Sequence, residues 1–347
     1  MTPTLDIIVN SSTVIRILSL GFIGFLLSII LTPVYTTLAY KGQWWKKPRT
    51  TTLTGEAAKV FTKLHAKKHL RNIPTMAGIV FVVATVLVTL VLNLERTETW
   101  LPIAAFAGAG AVGLIDDIIN IKGSGKGVAG LPSRIKLLLT TLVATIGGWF
   151  FYYKLEVSDI HIPFVGDWQL GILIIPLFIL VVVATANAVN ITDGLDGLAG
   201  GLSAIAFAAF ALIAFVEGRY GLAGFCMTVV GGLLAYTWFN VYPARFFMGD
   251  VGSFALGTAL GVVAMLTDTV TLLPIIGLLF VADTGSVILQ TISKKTRNGK
   301  KMFKVSPLHH HLEAIGWPET KVTMRFWILG QVVAVVGLII FIVGGYT

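Results

Sequence analysis

The sequence predicts an all-α integral membrane protein of about ten transmembrane helices, with both termini extracytoplasmic and an active site at the cytoplasmic face. Three observations carry this expectation. Of the 347 residues, 55% are hydrophobic and only 12% charged, and the mean hydropathy of +0.85 is far above that of a soluble domain. The apolar runs are long enough to cross a hydrocarbon core of about 30 Å as helices, and they lack the alternation of a membrane barrel. The polar residues that interrupt these runs are not scattered. They fall into a few clusters, chief among them the stretch 187–201, where Asn190, Asp193 and Asp196 recur every three residues among glycines.

Taken in order, the spans are expected near 14–40, 75–93, 100–118, 135–153, 170–188, 199–216, 221–239, 253–267, 271–292 and 324–345. The first run is too long, and has too few preceding positive charges, for a cleaved signal peptide. Cys226 stands alone inside an apolar run, which excludes an internal disulfide and assigns it to packing. Charge sorts the connections. Lys41, Lys46, Lys47, Arg49, Lys59, Lys63, Lys67, Lys68 and Arg71 join the first two spans, and Lys294, Lys295, Arg297, Lys300, Lys301, Lys304 and Lys321 join the last two. The positive-inside rule places both loops in the cytoplasm. Connections with acidic or balanced charge, such as the one holding Lys154, Glu156, Asp159 and Asp167, then face outward, and residues 1–347 form one polytopic domain.

Every unusual polar cluster falls on the cytoplasmic side of this arrangement. Asp116 and Asp117 form an adjacent pair at the end of the third span, where burying two carboxylates demands a compensating cation or hydrogen bonds. Arg134 and Lys136 open the fourth span, facing phosphate or lipid headgroups. Asp250 is flanked by Gly249 and Gly252, which admit close backbone approach, and Phe246 and Phe247 offer ring faces. Near Asp250 in sequence only Arg245 carries positive charge, so a metal is the simplest balance. His309, His310 and His311 are consecutive; because neighbours on a helix point about 100° apart, a shared target implies a loop. Carboxylates of this kind hold Mg²⁺, which prefers oxygen ligands and reaches nucleotides through one or two carboxylates plus phosphates. No phosphate-binding Gly-x-x-x-x-Gly-Lys-Ser/Thr loop or dinucleotide fingerprint is present, so a diphosphate would be bound by metal and side chains in a phosphoryl-transfer centre.

These motifs resemble those of the polyprenyl-phosphate N-acetylhexosamine-1-phosphate transferases. The resemblance is carried by Asp116-Asp117, by 190–199 (NITDGLDGLA), by 243–253 (PARFFMGDVGS) and by 307–319 (PLHHHLEAIGWPE). Within that superfamily, the three histidines, the following Gly-Trp-Pro-Glu and the segment 74–78 (PTMAG) are similar to the phospho-N-acetylmuramoyl-pentapeptide transferase family. The resemblance implies ten helices, commonly a homodimer, and a Mg²⁺-dependent reaction at the membrane: undecaprenyl phosphate attacks UDP-N-acetylmuramoyl-pentapeptide to give lipid I and UMP in peptidoglycan synthesis. It further implies that Asp116, Asp117, Asp250, His309, His310 and His311 are catalytic, with Asp250 the metal ligand and Asp116 the group that orients the lipid phosphate or takes its proton. Lys136, Asn190, Asp193, Asp196 and Phe247 would bind substrate, Phe247 by stacking on uracil. The expected partners are the nucleotide sugar, the lipid phosphate and bilayer lipid, with no nucleic acid.

The chain departs from the family pattern in places. Asn120 stands where many relatives have Lys, leaving Lys122 or Lys126 as substitutes; Asn72-Ile73 replaces Gly-Thr; spacing to His65 is longer, which leaves Lys68 unassigned; and Asp283 stands as a shortened replacement for Glu. Two rivals are weighed. A sister transferase acting on UDP-N-acetylglucosamine shares the aspartates but not the histidine segment, and a secondary transporter places its ionisable groups near mid-membrane rather than at one face.

Overall fold

The computed structural model describes residues 11–45, 72–123 and 130–345. The cationic stretch from Lys46 to Arg71, with His65, Lys67 and Lys68, and Lys126 lie outside the described residues. The described chain runs α1 (Ser11–Lys41), α2 (Gly78–Leu92), α3 (Trp100–Lys122), α4 (Ser133–Tyr153), β1 (Asp159–Ile162), β2 (Gly166–Gln169), α5 (Ile174–Thr192), α6 (Leu198–Val216), α7 (Tyr220–Asn240), α8 (Gly249–Leu266), α9 (Leu273–Ile276), α10 (Leu278–Thr296), α11 (Leu308–Ala314) and α12 (Glu319–Val343). Eight of these helices are long and apolar enough to cross a membrane, so the chain is a multi-pass membrane protein. Helix α2 is apolar but only 15 residues long, and α10 is less apolar because it carries Asp283, Gln290, Lys294 and Lys295. The ninth expected span is broken: Pro274 opens the one-turn α9, Gly277 caps it, and α10 begins anew.

Helix α8 is the axis of the bundle. Its sequence is rich in Gly, Ala, Ser and Thr, and all of its residues are buried. Between membrane helices no hydrophobic force draws backbones together, so small residues that permit close van der Waals contact take that part. Helices α3 and α5 pack along α8, α7 packs along α1 and α6, and α12 lies on α6. The outer helices turn large apolar side chains away from the protein, among them Phe22 and Ile30 on α1, Ile146 on α4 and Ile342 on α12, as a lipid-facing surface requires.

One element was not expected. The connection between α4 and α5 folds as an antiparallel hairpin, with Asp159 opposite Gln169 and Ile162 opposite Gly166. It reads in sequence as a loop of balanced charge, and what makes it order is its anchoring. The His161 N–H donates to Asp268 Oδ1 at 2.9 Å, the His161 ring lies 2.7 Å from Asp167 Oδ1, and the Phe164 N–H donates to the Gly344 carbonyl at 2.9 Å. The hairpin thus closes on the C-terminal end of α12. The opposite end of α12 begins at Glu319, whose Oε1 accepts the Asp196 N–H at 2.7 Å.

Candidate active site

Asp116 and Asp117 come from α3, Lys136 from the first turn of α4, and Asp250 from the first turn of α8. The three carboxylates each place an oxygen within 4.8 Å of the others. Lys136 Nζ stands between two of them, 2.8 Å from Asp116 Oδ2 and 2.7 Å from Asp250 Oδ2. The Leu131 N–H donates to Asp116 Oδ1, and the Val251 N–H, at the start of α8, donates to Asp117 Oδ2 at 3.1 Å. Backbone donors at a helix N-terminus favour a carboxylate there. The close fit depends on glycine: a Cβ on Gly113 would overlap the Asp250 carbonyl, and one on Gly249, whose φ is +75°, would overlap Asp117 Oδ2. Asp116 and Asp117 are fully enclosed, while Asp250 keeps a small opening, 9% exposed. When ionised, three carboxylates outweigh one ammonium, and this all-oxygen donor set fits a hard dication rather than a thiolate-seeking metal. Lys136 corrects the expectation that Asp250 has only a metal to balance it, since the nearest cation comes from a different helix.

The second cluster is the histidine segment, and here the expected loop is a helix, α11. His309 and His310 are buried with ring centroids 4.2 Å apart. The His309 ring lies 2.7 Å from Asp283 Oδ2, and the His310 ring 2.7 Å from Glu313 Oε2. Both Nε2 atoms abut Gly194, where a Cβ would overlap His309 Nε2. His311 diverges, as helical geometry demands: it packs on Phe303 at 5.4 Å and accepts the Lys304 N–H at 3.2 Å.

Within the stretch 187–201, Asn190 and Asp196 bond to different partners. Asn190 donates to Ser253 Oγ of α8 at 2.8 Å, and Asp193 ends α5 with its N–H on the Val189 carbonyl at 3.1 Å. Asp196 is buried; its Oδ2 accepts the Ala244 N–H at 3.0 Å. Asn240 adds a bridge, accepting the Gly197 N–H at 2.9 Å and donating to the Phe246 carbonyl at 2.8 Å. Asp196 and Asn240 therefore hold the loop 241–248 against the turn before α6. Phe246 is buried against Tyr35 and Phe239, ring centroids 5.5 and 5.6 Å away. Phe247 is half-buried, and its backbone pairs with the 74–77 segment, donating to the Pro74 carbonyl at 2.8 Å and accepting the Ala77 N–H at 3.0 Å. Of the departing residues, Asn120 is buried, whereas Lys122 lines a separate cavity of about 350 Å³ with Trp44, Met76 and Ile118. Arg134 is exposed.

For three residues the motifs give the position but not the partner: Asp283, noted in sequence only as a shortened replacement for Glu, pairs with His309; Glu313, three positions after His310, pairs with it; and Glu319, at the end of the 307–319 motif, accepts the Asp196 N–H.

The sequence profile described as "Glycosyl transferase family 4" matches residues 99–268. The chain is similar to the phospho-N-acetylmuramoyl-pentapeptide-transferase of Thermodesulfovibrio yellowstonii, 40% identical over 299 residues that cover 80% of this chain and 81% of the relative. That of Clostridium novyi is 38% identical over 320 residues, 91% of this chain and 94% of the relative. That of Chloroflexus aggregans is 37% identical over 343 residues, 95% and 90% of the two chains. With identity at this level along nearly the whole length, the chain belongs to the phospho-N-acetylmuramoyl-pentapeptide-transferase family.

Proposed function

We propose that the chain transfers phospho-N-acetylmuramoyl-pentapeptide from its UDP-linked donor to undecaprenyl phosphate, giving lipid I and UMP in a bacterial plasma membrane. The observation that carries this reading is the junction of α3, α4 and α8, where Asp116, Asp117, Asp250 and Lys136 meet in a chain of that family. Phosphoryl transfer needs in-line positioning and neutralisation of spread negative charge more than covalent help. Mg²⁺ held by Asp250 with Asp116 and Asp117 would supply Lewis-acid neutralisation of the diphosphate. Asp116, fixed by Leu131 and Lys136, orients the lipid phosphate or accepts its proton. Lys136, freed from its carboxylates when the charge balance changes, pairs with phosphate oxygens. Phe247 stacks on the uracil, Asn190 and Asp193 border the nucleotide, and His309 and His310 face the sugar and phosphates. Asp196 acts through the loop it holds rather than by touching substrate.

The lipid chain lies in the apolar cleft of about 340 Å³ between α5 and α10, lined by Leu180, Val181, Leu273, Phe280, Val281 and Ile288. Helices α2 and α10 complete ten spans with the site in the cytoplasm, both termini outside and two copies forming a homodimer; the cationic connections support this orientation.

Purified protein given undecaprenyl phosphate, Mg²⁺ and a panel of UDP-sugars should release UMP from UDP-N-acetylmuramoyl-pentapeptide. Equal release from UDP-N-acetylglucosamine would favour the sister transferase instead, and no release from any donor would remove the transferase reading.

A further inference from the structure

His309 and Asp283 are both wholly buried, and their contact is a two-point one. Asp283 Oδ1 faces the His309 backbone N–H at 3.1 Å, and Asp283 Oδ2 faces ring Nδ1 at 2.7 Å. An ionised carboxylate only accepts, so Nδ1 carries the hydrogen. In the neutral ring, Nε2 is then left with its lone pair. That nitrogen is buried, has no hydrogen-bond partner among the described residues, and abuts Gly194 at the end of α5. Buried polar atoms are rarely left unpaired, because the desolvation is not repaid. No described residue answers this one, although His310 Nε2 borders the same glycine with its own Nδ1 against Glu313.

We propose that Asp283 is a positioning residue: it fixes His309 as the Nδ1–H tautomer and so aims an unprotonated Nε2, past Gly194, at a hydrogen-bond donor of the bound sugar nucleotide. The inference rests on the functional reading above for its substrate, and on geometry alone for the tautomer. The location suits the task. Asp283 precedes Thr284, which lines the apolar cleft, so α10 presents one side to the lipid chain and the carboxylate to the histidine. Gly194 follows Asp193 at the turn bordering the nucleotide, and it is this side-chain-free turn that lies against the buried Nε2, where any Cβ would overlap it.

The test exploits the two-point contact. In Asp283→Asn, the amide offers one acceptor oxygen where two donors converge; with that oxygen on the backbone N–H, its NH₂ faces Nδ1 and drives the ring hydrogen to Nε2. In full-length protein labelled with ¹⁵N-histidine in micelles, the wild-type His309 resonances should report Nδ1–H, and the Asn variant Nε2–H. Adding the UDP-linked donor without lipid acceptor should shift the wild-type Nε2 resonance as it accepts a hydrogen bond. The kcat/KM for UMP release should fall about a hundredfold or more, as a wrong tautomer does in other imidazole-dependent enzymes. Asp283→Glu, which keeps both acceptors, should restore the tautomer and most of the activity. A wild-type His309 found as Nε2–H, an Nε2 resonance indifferent to the donor, or an Asn variant with unchanged kcat/KM would each overturn the proposal, and the first two need no variant to fold. Wild-type protein that released no UMP would sink the functional reading, while the wild-type tautomer would still decide whether Asp283 sets the ring hydrogen.

Discussion

At the scale of single residues, Asp250 carries the heaviest demand. It is the most open of the three clustered carboxylates and the one Lys136 approaches most closely, at 2.7 Å. Asp250→Asn keeps the shape but removes charge from a site built for a hard cation, so UMP release should fall on the order of a thousandfold or more in protein that inserts and melts normally. Turnover near wild type with the same Mg²⁺ dependence would make Asp250 structural. The histidines separate just as sharply. His310 borders Gly194 whereas His311 turns to Phe303 and Lys304, so His310→Ala should lose most of its turnover and His311→Ala far less; equal losses on comparing the two rates would undo this division. Truncating His309 or His310, which are buried, leaves a cavity as well, whereas His311 is only half-buried.

At the scale of elements, the bundle is held by backbone proximity. Helices α1 and α7 meet where a Cβ on Gly231 would overlap the Gly21 carbonyl and crowd the Phe25 nitrogen. The atoms in the way are backbone and cannot rotate aside, so Gly231→Ala should destabilise by about 1–3 kcal/mol, seen as a lower midpoint in detergent melting. A variant melting with the wild type would show that α1 is free to shift outward at no cost. The same logic explains why α8, half of it Gly, Ala, Ser or Thr and all of it buried, occupies the axis.

At the scale of the molecule, the end that carries the hairpin is tuned by protons. Burial holds Glu217 up to about 8, with Arg219 opposing and Asp268 adding; burial holds Asp268 up to about 6 against the His161 N–H bond. For each, the unfolded chain releases its proton first, near 4.5 and 3.8 respectively, so between those values and the folded ones the native state binds more protons and stability falls as pH rises. His161 has the same sign: burial lowers its pKa, but the Asp167 bond, the Gly344 carbonyl and the Asp167 and Asp268 charges outweigh this and raise it. Its contribution is complete below 6.5 and lost as pH climbs through the folded value. The melting midpoint should therefore drop from about pH 5 to beyond about pH 8, and Glu217→Gln should flatten the upper part of that fall; a midpoint rising over the window would contradict the assignment. The orientation has its own check. A tag at Thr347 should react with a membrane-impermeant reagent in intact cells, and labelling only after the membrane is opened would invert the topology.

Hydropathy is a local property, so the apolar runs, the helices they form and the membrane class were legible in the sequence, with boundaries generally within a few residues. The hairpin at 159–169 was not, because it orders on Asp268 and Gly344, more than a hundred residues downstream; the break that Pro274 and Gly277 make lies inside one apolar run, which hydropathy alone reads as continuous. The motifs likewise singled out Asp116, Asp117 and Asp250, which the fold brings together, since composition and spacing lie on one line of text. Tertiary structure alone decided their partners. Helix crossings brought Lys136 between Asp116 and Asp250, set Asp283 against His309, turned His311 away, and left Asp196 holding the Ala244 loop. In a bilayer, hydrophobicity positions a helix across the membrane but does not choose which face meets which neighbour. That choice belongs to close packing and to the pairing of buried polar groups, and both are settled only when helices far apart in the chain come together.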